Sequence, residues 1–151
     1  MKKQHKNIIG FVGEHGVGKT TAAEVLQRNG FYLVDINKQV LDVASQLFTP
    51  EELKNASGAI LRETRRRGQQ VNSRYWLNLV MIGVPDDKDL VVIDNIDLGE
   101  VYGTDIEIYR IYRSVVSTKE SPPEIEVIQN DGTLEEFTKK IEDLCARLKK
   151  N

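Results

Sequence analysis

A phosphate-binding motif stands near the amino end of the sequence. Residues Gly13 to Thr20 have the pattern G-x-x-x-x-G-K-[ST] and lie between an apolar run, Ile8 to Val12, and a segment with helical periodicity. In such a loop the glycines let consecutive backbone N–H groups converge on one anion, and the next helix adds the positive end of its dipole. The motif predicts a nucleoside triphosphate as ligand; a glycine-rich turn without a ligand is the alternative.

Two side chains of this loop have chemistry of their own. Lys19 can reach the β- and γ-phosphates of the triphosphate, and the hydroxyl of Thr20 can occupy one coordination position of Mg²⁺. His15 occupies a variable position of the motif, and we expect no more from it than its backbone N–H. These roles are those of a site that transfers or hydrolyses phosphate groups.

Two further acids follow apolar runs. Asp94 closes the run Leu90 to Ile93, where a carboxylate can hold Mg²⁺ directly or through water; capping of the next turn is the alternative. Asp97 is a weaker candidate because it lies beyond the strand.

Asp35 ends the second predicted strand, where its carboxylate could accept or orient the proton of an attacking hydroxyl. It could also cap the helix that follows, and both roles could hold at once.

One segment is densely basic. At helical spacing Arg62, Arg65 and Arg66 share a face, with Arg67 turned away. Arginine binds phosphate in a bidentate manner, so this face could hold the phosphate of an acceptor. A solvated helix face that pairs with Glu63 is the alternative.

Two more arginines belong to the predicted fourth strand. Arg110 and Arg113 lie near its end, and an arginine there could stabilise the charge that develops on a transferred phosphoryl group. Alternation along a strand places the two on opposite faces, so only one should serve. Arg113, at the strand end, is the better placed.

Strands and helices alternate along the chain, and this alternation must position the residues named above. Five apolar runs predict strands, and the capping pattern Thr49-Pro50-Glu51-Glu52 predicts a helix start, with a break at Ser57-Gly58. A second capping pattern at Thr133 begins a last helix. The predicted strands are Ile8 to Val12, Phe31 to Asp35, Leu90 to Asp94, Ile106 to Tyr112 and Glu124 to Ile128; the apolar face of the last helix is Leu134, Phe137, Ile141, Leu144 and Leu148.

This order predicts a doubly wound α/β domain with helices on both faces of a parallel sheet. Its distinguishing feature is a helical excursion, residues 36–83, between strands two and three. The chain has 151 residues, which is enough for a single domain over 1–151. A formal net charge of -2 gives no field that would attract nucleic acid.

Composition indicates where the protein is expected to occur and which cysteine chemistry is excluded. No apolar stretch is long enough to span a membrane, and the first residues lack the apolar segment of a signal peptide, so we expect a cytoplasmic protein. Cys145 is the only cysteine, which excludes an internal disulfide and a thiolate metal cluster. Its place on an apolar helix stripe indicates packing.

The sequence resembles a known family. The segments GEHGVGKTT, NGFYLVDIN, RRRGQQVNSRYWLNLV, LVVIDNID and IQNDGTLEEF follow one another in the order found in P-loop nucleotide kinases. The resemblance covers almost the whole chain and is nearest to phage-type deoxynucleoside monophosphate kinases, with dephospho-coenzyme A kinase close behind. It implies a three-layer fold with five parallel strands in the order 2-3-1-4-5, ATP and Mg²⁺ as cofactors, and an acceptor bound under the inserted helices.

The resemblance also implies a set of site residues. It implies Asp35 near the acceptor and the helix Arg62 to Arg67 for the acceptor phosphate. Together with the residues derived above, the predicted catalytic residues are Lys19, Asp35 and Arg113, the predicted acceptor-binding residues are Asp35, Arg62, Arg65 and Arg66, and the predicted metal ligands are Thr20 and Asp94. The residues implied for ATP are Gly13, Glu14, His15, Gly16, Val17, Gly18, Lys19, Thr20 and Thr21 at the phosphates, and Asn130, Gly132 and Thr133 beside the adenine. The family's arginine-rich lid is reduced here, because residues 113–123 offer only Arg113 and Lys119.

Three functions are consistent with these residues. The first is ATP- and Mg²⁺-dependent phosphoryl transfer to a nucleoside or deoxynucleoside monophosphate. The second is transfer to a hydroxyl, as in dephospho-coenzyme A, and the third is a nucleotide-binding or regulatory protein that transfers nothing. The expected partner is a small-molecule nucleotide, and we expect binding to neither nucleic acid nor a membrane. A homodimer is one option for the oligomeric state.

Overall fold

Alternating strands and helices build one parallel sheet. The structure, a computed structural model, describes residues 7–117 and 124–150. Its strands are β1 (Asn7–Val12), β2 (Tyr32–Asp35), β3 (Leu90–Asp94), β4 (Glu107–Tyr112) and β5 (Glu126–Gln129). Its helices are α1 (Lys19–Arg28), α2 (Ile36–Leu47), α3 (Pro50–Val71), α4 (Tyr75–Ile82), α5 (Leu98–Val101) and α6 (Leu134–Lys149).

The sheet has the predicted topology. All neighbouring strands are parallel, and their order is β2-β3-β1-β4-β5. The predicted three-layer α/β architecture of P-loop kinases is therefore confirmed. Because parallel strands all end at the same edge, the residues that follow β1, β2, β3 and β4 meet there.

Alternate residues of the central strands serve two separate cores. Ile9 and Phe11 of β1 and Val92 of β3 pack with α1 and α6 on one face of the sheet. Val91 and Ile93 of β3 pack with α2 and α4 on the other face. Burial on both faces explains why β3 is a continuous apolar run.

The excursion between β2 and β3 consists of three helices. Thr49 caps α3 as predicted: its hydroxyl accepts from Glu52 N at 3.2 Å, and Glu52 Oε1 accepts from Thr49 N at 3.0 Å. The break predicted at Ser57-Gly58 lies at Ala56, where the backbone leaves helical geometry (φ −137°, ψ 27°) and a kink separates the two parts of α3. No helix among the described residues is long and apolar enough to cross a membrane.

Two expectations about packing were wrong or incomplete. Leu134, assigned to the apolar face of the last helix, is 68% exposed, because it is the first residue of α6 and lies beyond the edge of the core. The connection after β3 contains a short helix, α5, which the sequence analysis did not predict; its residue Glu100 is buried. Cys145, on the inner face of α6, is buried in the core, as expected.

The contact between α3 and α4 provides a test of this packing. An added Cβ at Gly68 would lie 2.6 Å from Nε1 of the buried Trp76. This indole also donates to Arg65 O at 2.8 Å. We expect Gly68→Ala to lower the free energy of unfolding by about 1–3 kcal/mol, because overpacking outweighs the gain in helix propensity of at most about 1 kcal/mol.

Gly99→Ala is the matched control. Gly99 also lies in a helix, and a Cβ there would meet no atom within 4 Å. Urea unfolding followed by far-UV circular dichroism measures both variants. Equal stability of the two would contradict the packing described for Trp76.

Candidate active site

Close backbone contacts shape the loop between β1 and α1. A Cβ at Gly13 would lie 2.7 Å from the carbonyl oxygen of Ile111 in β4, so the chain can pass there only as glycine. Gly18 has a φ of 111°, and a Cβ there would lie 2.8 Å from Asn130 Nδ2 and 3.2 Å from the Phe137 ring. The phosphate loop, residues 13–20, is thus held from both sides by β4 and α6.

The side chains of Lys19 and Thr20 lie at the start of α1. Lys19 Nζ donates to Gly13 O at 2.7 Å, across the mouth of the loop. Thr20 Oγ1 donates to Asp94 Oδ2 at 3.1 Å, which joins α1 to the end of β3. The predicted hydroxyl and carboxylate are therefore adjacent.

Burial governs the electrostatics of Asp94. Only 4% of the residue is exposed, and this desolvation raises the pKa of its carboxyl, while the hydrogen bond from Thr20 lowers it and the nearby Asp35 charge raises it. A cation placed between Thr20 and Asp94 would relieve this cost. Mg²⁺ fits such an oxygen pair, because it is ordinarily bound through one or two protein oxygens together with water and substrate phosphate.

A cavity of about 570 Å³ connects the loop to the carboxyl edge of the sheet. Many of the predicted site residues line it: His15, Gly16, Gly18, Lys19, Thr20, Thr21, Arg113, Asn130 and Gly132. Four more residues, which the sequence analysis did not select for the site, also line it: Asn37, Asn95, Leu134 and Phe137. Of these, only Leu134 and Phe137 gave a signal in the sequence, and it was read as core packing.

Two predicted loop residues turn their side chains away from the cavity. Glu14 Oε1 accepts from Arg110 NH2 at 2.9 Å, and the Arg110 side chain is only 6% exposed. Val17 is fully buried in the core between α1 and α6. Only the backbone of these two residues can meet a ligand.

Arg110 and Arg113 face different surroundings, as alternation predicts. Arg110 lies beneath the loop with Glu14, whereas Arg113 lines the cavity, with NH1 3.5 Å from Gly16 O. Arg113 is therefore the arginine that a bound phosphate could contact. Residues 118–123 of the predicted lid lie outside the described part of the chain, so the reduced lid stays a prediction.

The loop before α6 forms the other end of the cavity. Asn130 Nδ2 donates to Val17 O at 2.8 Å, which ties this loop to the phosphate loop. Asp131 accepts from Ser114 N at 2.7 Å and from Ser114 Oγ at 2.8 Å, and these bonds lower the pKa of its carboxyl. Beside these polar groups Leu134, which is 68% exposed, gives this end a partly apolar surface, while the ring of Phe137 is buried beneath it.

Asp35 caps helix α2, which is the alternative role given for it above. It also lies beside Asp94, one of the two residues predicted to hold the metal. Its Oδ1 accepts from Asn37 N at 2.9 Å, which caps α2, and from Asn95 Nδ2 at 2.8 Å. In the sheet it pairs with Asp94 on the neighbouring strand. Capping leaves Oδ2 without a hydrogen bond to any described residue.

The arginine cluster is divided by its partners. Arg65 turns inward, where NH2 lies 2.7 Å from Glu100 Oε1 and 2.8 Å from Asn95 O. Arg66 and Arg67 bind Glu63 on the exposed face, and these hydrogen bonds, Arg66 first, lower the pKa of Glu63 to about 2. Arg62 is exposed and makes no ion pair with residues 7–117 or 124–150. Acceptor binding by Arg62, Arg65 and Arg66 stays a prediction.

The comparisons with known proteins concern the fold. No protein-family model matches the sequence, and no curated protein matches it significantly. The crystal structure of TT1252 from Thermus thermophilus is similar, with a TM-score of 0.58 and 21% identity over 96% of this chain and 99% of that one. The similarity extends over both chains from end to end and shows a shared fold.

Two other solved structures have lower scores. A proposed kinase from Chloroflexus aurantiacus has a TM-score of 0.49 and 13% identity, and covers 97% of this chain and 98% of its own. A sugar kinase from Janibacter sp. HTCC2649 has a TM-score of 0.44 and 10% identity, with 96% and 98% covered.

The burial of Asp94 leads to a prediction about stability. A carboxyl whose folded-state pKa is raised favours folding most when it is protonated, and this contribution is lost as the pH rises through the folded-state pKa. Asp94→Asn removes the charge, keeps an oxygen for Asn95 N and places its NH₂ against the Thr20 hydroxyl, which can accept as well as donate. At pH 7 and without metal, we therefore expect the free energy of unfolding of the variant to equal or exceed that of the wild type.

Urea unfolding in EDTA between pH 4 and pH 8 measures this effect. The difference between wild type and variant should shrink as the pH falls and Asp94 becomes protonated. Mg²⁺, in contrast, should promote nucleotide binding by the wild type only. A variant that is less stable than the wild type at pH 7 would contradict the assigned cost of burying this charge.

Proposed function

We propose that the protein is a phosphotransferase that uses ATP and Mg²⁺. The observation that supports this most is the contact of Thr20 Oγ1 with Asp94 Oδ2, 3.1 Å apart, directly behind a glycine loop and beside Lys19. This is the pair of oxygens that a Mg²⁺-nucleotide needs. A glycine-rich turn without a ligand would require neither the hydroxyl nor a buried carboxylate at that place.

The triphosphate would lie along the phosphate loop with its base toward Asn130, Gly132 and the exposed Leu134. The bond of Lys19 Nζ to Gly13 O would be exchanged for bonds to the β- and γ-phosphates. The metal, when bound, supplies charge neutralisation at the phosphate oxygens. Arg113, on the same wall, would stabilise the charge on the transferred group.

As acceptor we propose a nucleoside or deoxynucleoside monophosphate, bound between Asp35 and α3. The sequence resemblance implies it, and Arg62 supports it, because this exposed cation lies one turn before Arg65 on α3. In-line transfer would then give ADP and a nucleoside diphosphate.

A hydroxyl acceptor is the second candidate, and a specific observation favours it. Three arginines of the cluster already bind carboxylates, Arg65 to Glu100 and the other two to Glu63. Asp35, meanwhile, retains an oxygen that could accept the proton of an attacking hydroxyl. Dephospho-coenzyme A is the natural probe for this chemistry.

One assay separates the candidates. ADP release from Mg·ATP is measured with each ribo- and deoxynucleoside monophosphate and with dephospho-coenzyme A. Stimulation by a monophosphate supports the first acceptor, and stimulation by dephospho-coenzyme A alone supports the second. Tight ATP binding without stimulation would indicate a nucleotide-binding protein, and no binding of any nucleoside triphosphate in calorimetry would contradict the proposal.

Lys19→Ala tests the mechanism. Loss of this cation should lower turnover by at least about 100-fold, because it removes a charge that stabilises the transferred phosphoryl group. Lys140→Ala is the control: Lys140 also donates its Nζ to a main-chain carbonyl, Gln129 O at 2.9 Å, but on the surface of α6. The control should turn over as the wild type does. Undiminished turnover in Lys19→Ala would be incompatible with the proposed role of the loop.

A further inference from the structure

The residue directly after β3 has an unusual backbone. Asn95 has a φ of 63°, and it is the only non-glycine residue with a positive φ among those that the structure describes. This left-handed region is disfavoured for residues with a Cβ, although asparagine enters it more readily than most. Such conformations persist where the surrounding contacts fix them, and they often occur at functional sites.

Three hydrogen bonds fix Asn95, and each goes to a different part of the site. Its backbone N–H donates to Asp94 Oδ1 at 3.0 Å. Its carbonyl accepts from Arg65 NH2 at 2.8 Å, and its side-chain Nδ2 donates to Asp35 Oδ1 at 2.8 Å. The residue therefore joins the metal candidate, the helix α3 and the carboxylate at the end of β2.

In the hydrogen bond between Asn95 and Asp35, the amide of Asn95 must be the donor. Asp35 Oδ1 already accepts from Asn37 N, so it is an acceptor there, and only the NH₂ end of the Asn95 amide can donate to it. Two donors on Oδ1 restrict rotation of the carboxylate. Oδ2 has no hydrogen bond to a described residue, and it is the oxygen that a ligand could meet.

A buried ion pair holds Asn95 from the other side. Arg65 reaches Asn95 O and Glu100 Oε1 with the same NH2, and the two side chains are only 15% and 2% exposed. Removing one partner of such a pair is costly, because it leaves a buried charge without compensation. The turn at Asn95 is thus fixed at its carbonyl as well as at its amide.

We propose that Asn95 is a positioning residue for phosphoryl transfer: its left-handed turn directs the amide onto Asp35 and so fixes the carboxylate toward the acceptor. The inference rests on the proposed function and deepens it, because it assigns the orientation of Asp35 to a residue that the P-loop motif does not include. The competing explanation is a turn residue that only needs a positive φ. Glycine would then serve equally well.

Asn95→Gly distinguishes these two roles. Glycine adopts a positive φ without strain, so the turn survives while the amide donor is lost. We expect the kcat with the best acceptor to fall by about 10- to 100-fold, which is the usual effect of losing a group that orients a site residue. The KM for Mg·ATP should stay near the wild-type value, because the phosphate loop is untouched. The melting temperature should change little, because relief of the positive φ offsets the lost hydrogen bond.

Two further variants sharpen the comparison. Asn95→Asp keeps the size of the side chain but replaces the donor with an acceptor, so its loss of kcat should be at least as large. Asn29→Gly is the control. It removes one hydrogen bond of a side-chain amide, from Asn29 Nδ2 to Val25 O at 2.7 Å, at a place remote from the cavity. Its kcat should equal that of the wild type.

A double-mutant cycle shows whether Asn95 acts through Asp35. Asn95→Gly should cause no further loss of kcat in the Asp35→Ala background, since the carboxylate that it orients is gone. An Asn95→Gly protein with wild-type kcat, or a loss that is fully additive with Asp35→Ala, would overturn the proposal.

The bond itself can be tested without turnover, which separates this inference from the proposed function. In ¹⁵N spectra of the full chain, the pair of resonances from the side-chain NH₂ of Asn95 is identified by its absence in Asn95→Gly. The chemical shifts of this pair should change in Asp35→Ala and stay unchanged in Asn29→Gly. If no acceptor stimulates ADP release, the proposed transfer fails, but a shifted pair still supports the orientation of Asp35 by Asn95. An unshifted pair overturns the inference in either case.

Discussion

The close approach of two glycines of the phosphate loop to neighbouring elements is the constraint on which the site depends. Gly13 lies against the main chain of β4, and Gly18 lies against Asn130 and Phe137. Val17 anchors the loop between these contacts, fully buried, while its carbonyl accepts from Asn130. The same contacts that give the loop its shape therefore bring β4 and the start of α6 to the cavity. A side chain at either glycine would move these walls as well as the loop.

Parallel pairing then determines which charges meet. The register aligns Asp35 with Asp94 on neighbouring strands, so two carboxylates end at the same edge of the sheet. The cation of Lys19 and the hydroxyl of Thr20 offset part of their repulsion. A site with a buried carboxylate of raised pKa favours a divalent cation, because such an ion replaces the lost hydration. The burial of Asp94 and its proposed metal binding are thus linked.

Much of the fold could be predicted because it depends on local patterns. The bounds of β3 are those of its apolar run, and the caps at Thr49 and Thr133 place the starts of α3 and α6. The residues that were missed depend on distant partners. Asn95 carries no local signal, and its role follows from its contact with Asp35. Glu100 follows Asp97 at the spacing of a capping box, which indicates the start of α5, but its pairing with Arg65, 35 residues earlier, has no local signal. Leu134 was assigned to the core because periodicity does not show where the core ends.

The arginine cluster shows why charge density alone does not assign a role. Four neighbouring arginines have three different environments, and only Arg65 forms a buried pair. A ligand phosphate that took Arg65 would leave Glu100, 1% exposed, without its cation, and such a loss costs about 3–5 kcal/mol. Arg65 is therefore better suited to fixing α3 against the end of β3 than to exchanging ligands. Under the proposed function, Arg62 is therefore the better candidate for recognising an acceptor phosphate, and an acceptor that reacts through a hydroxyl would depend on Asp35.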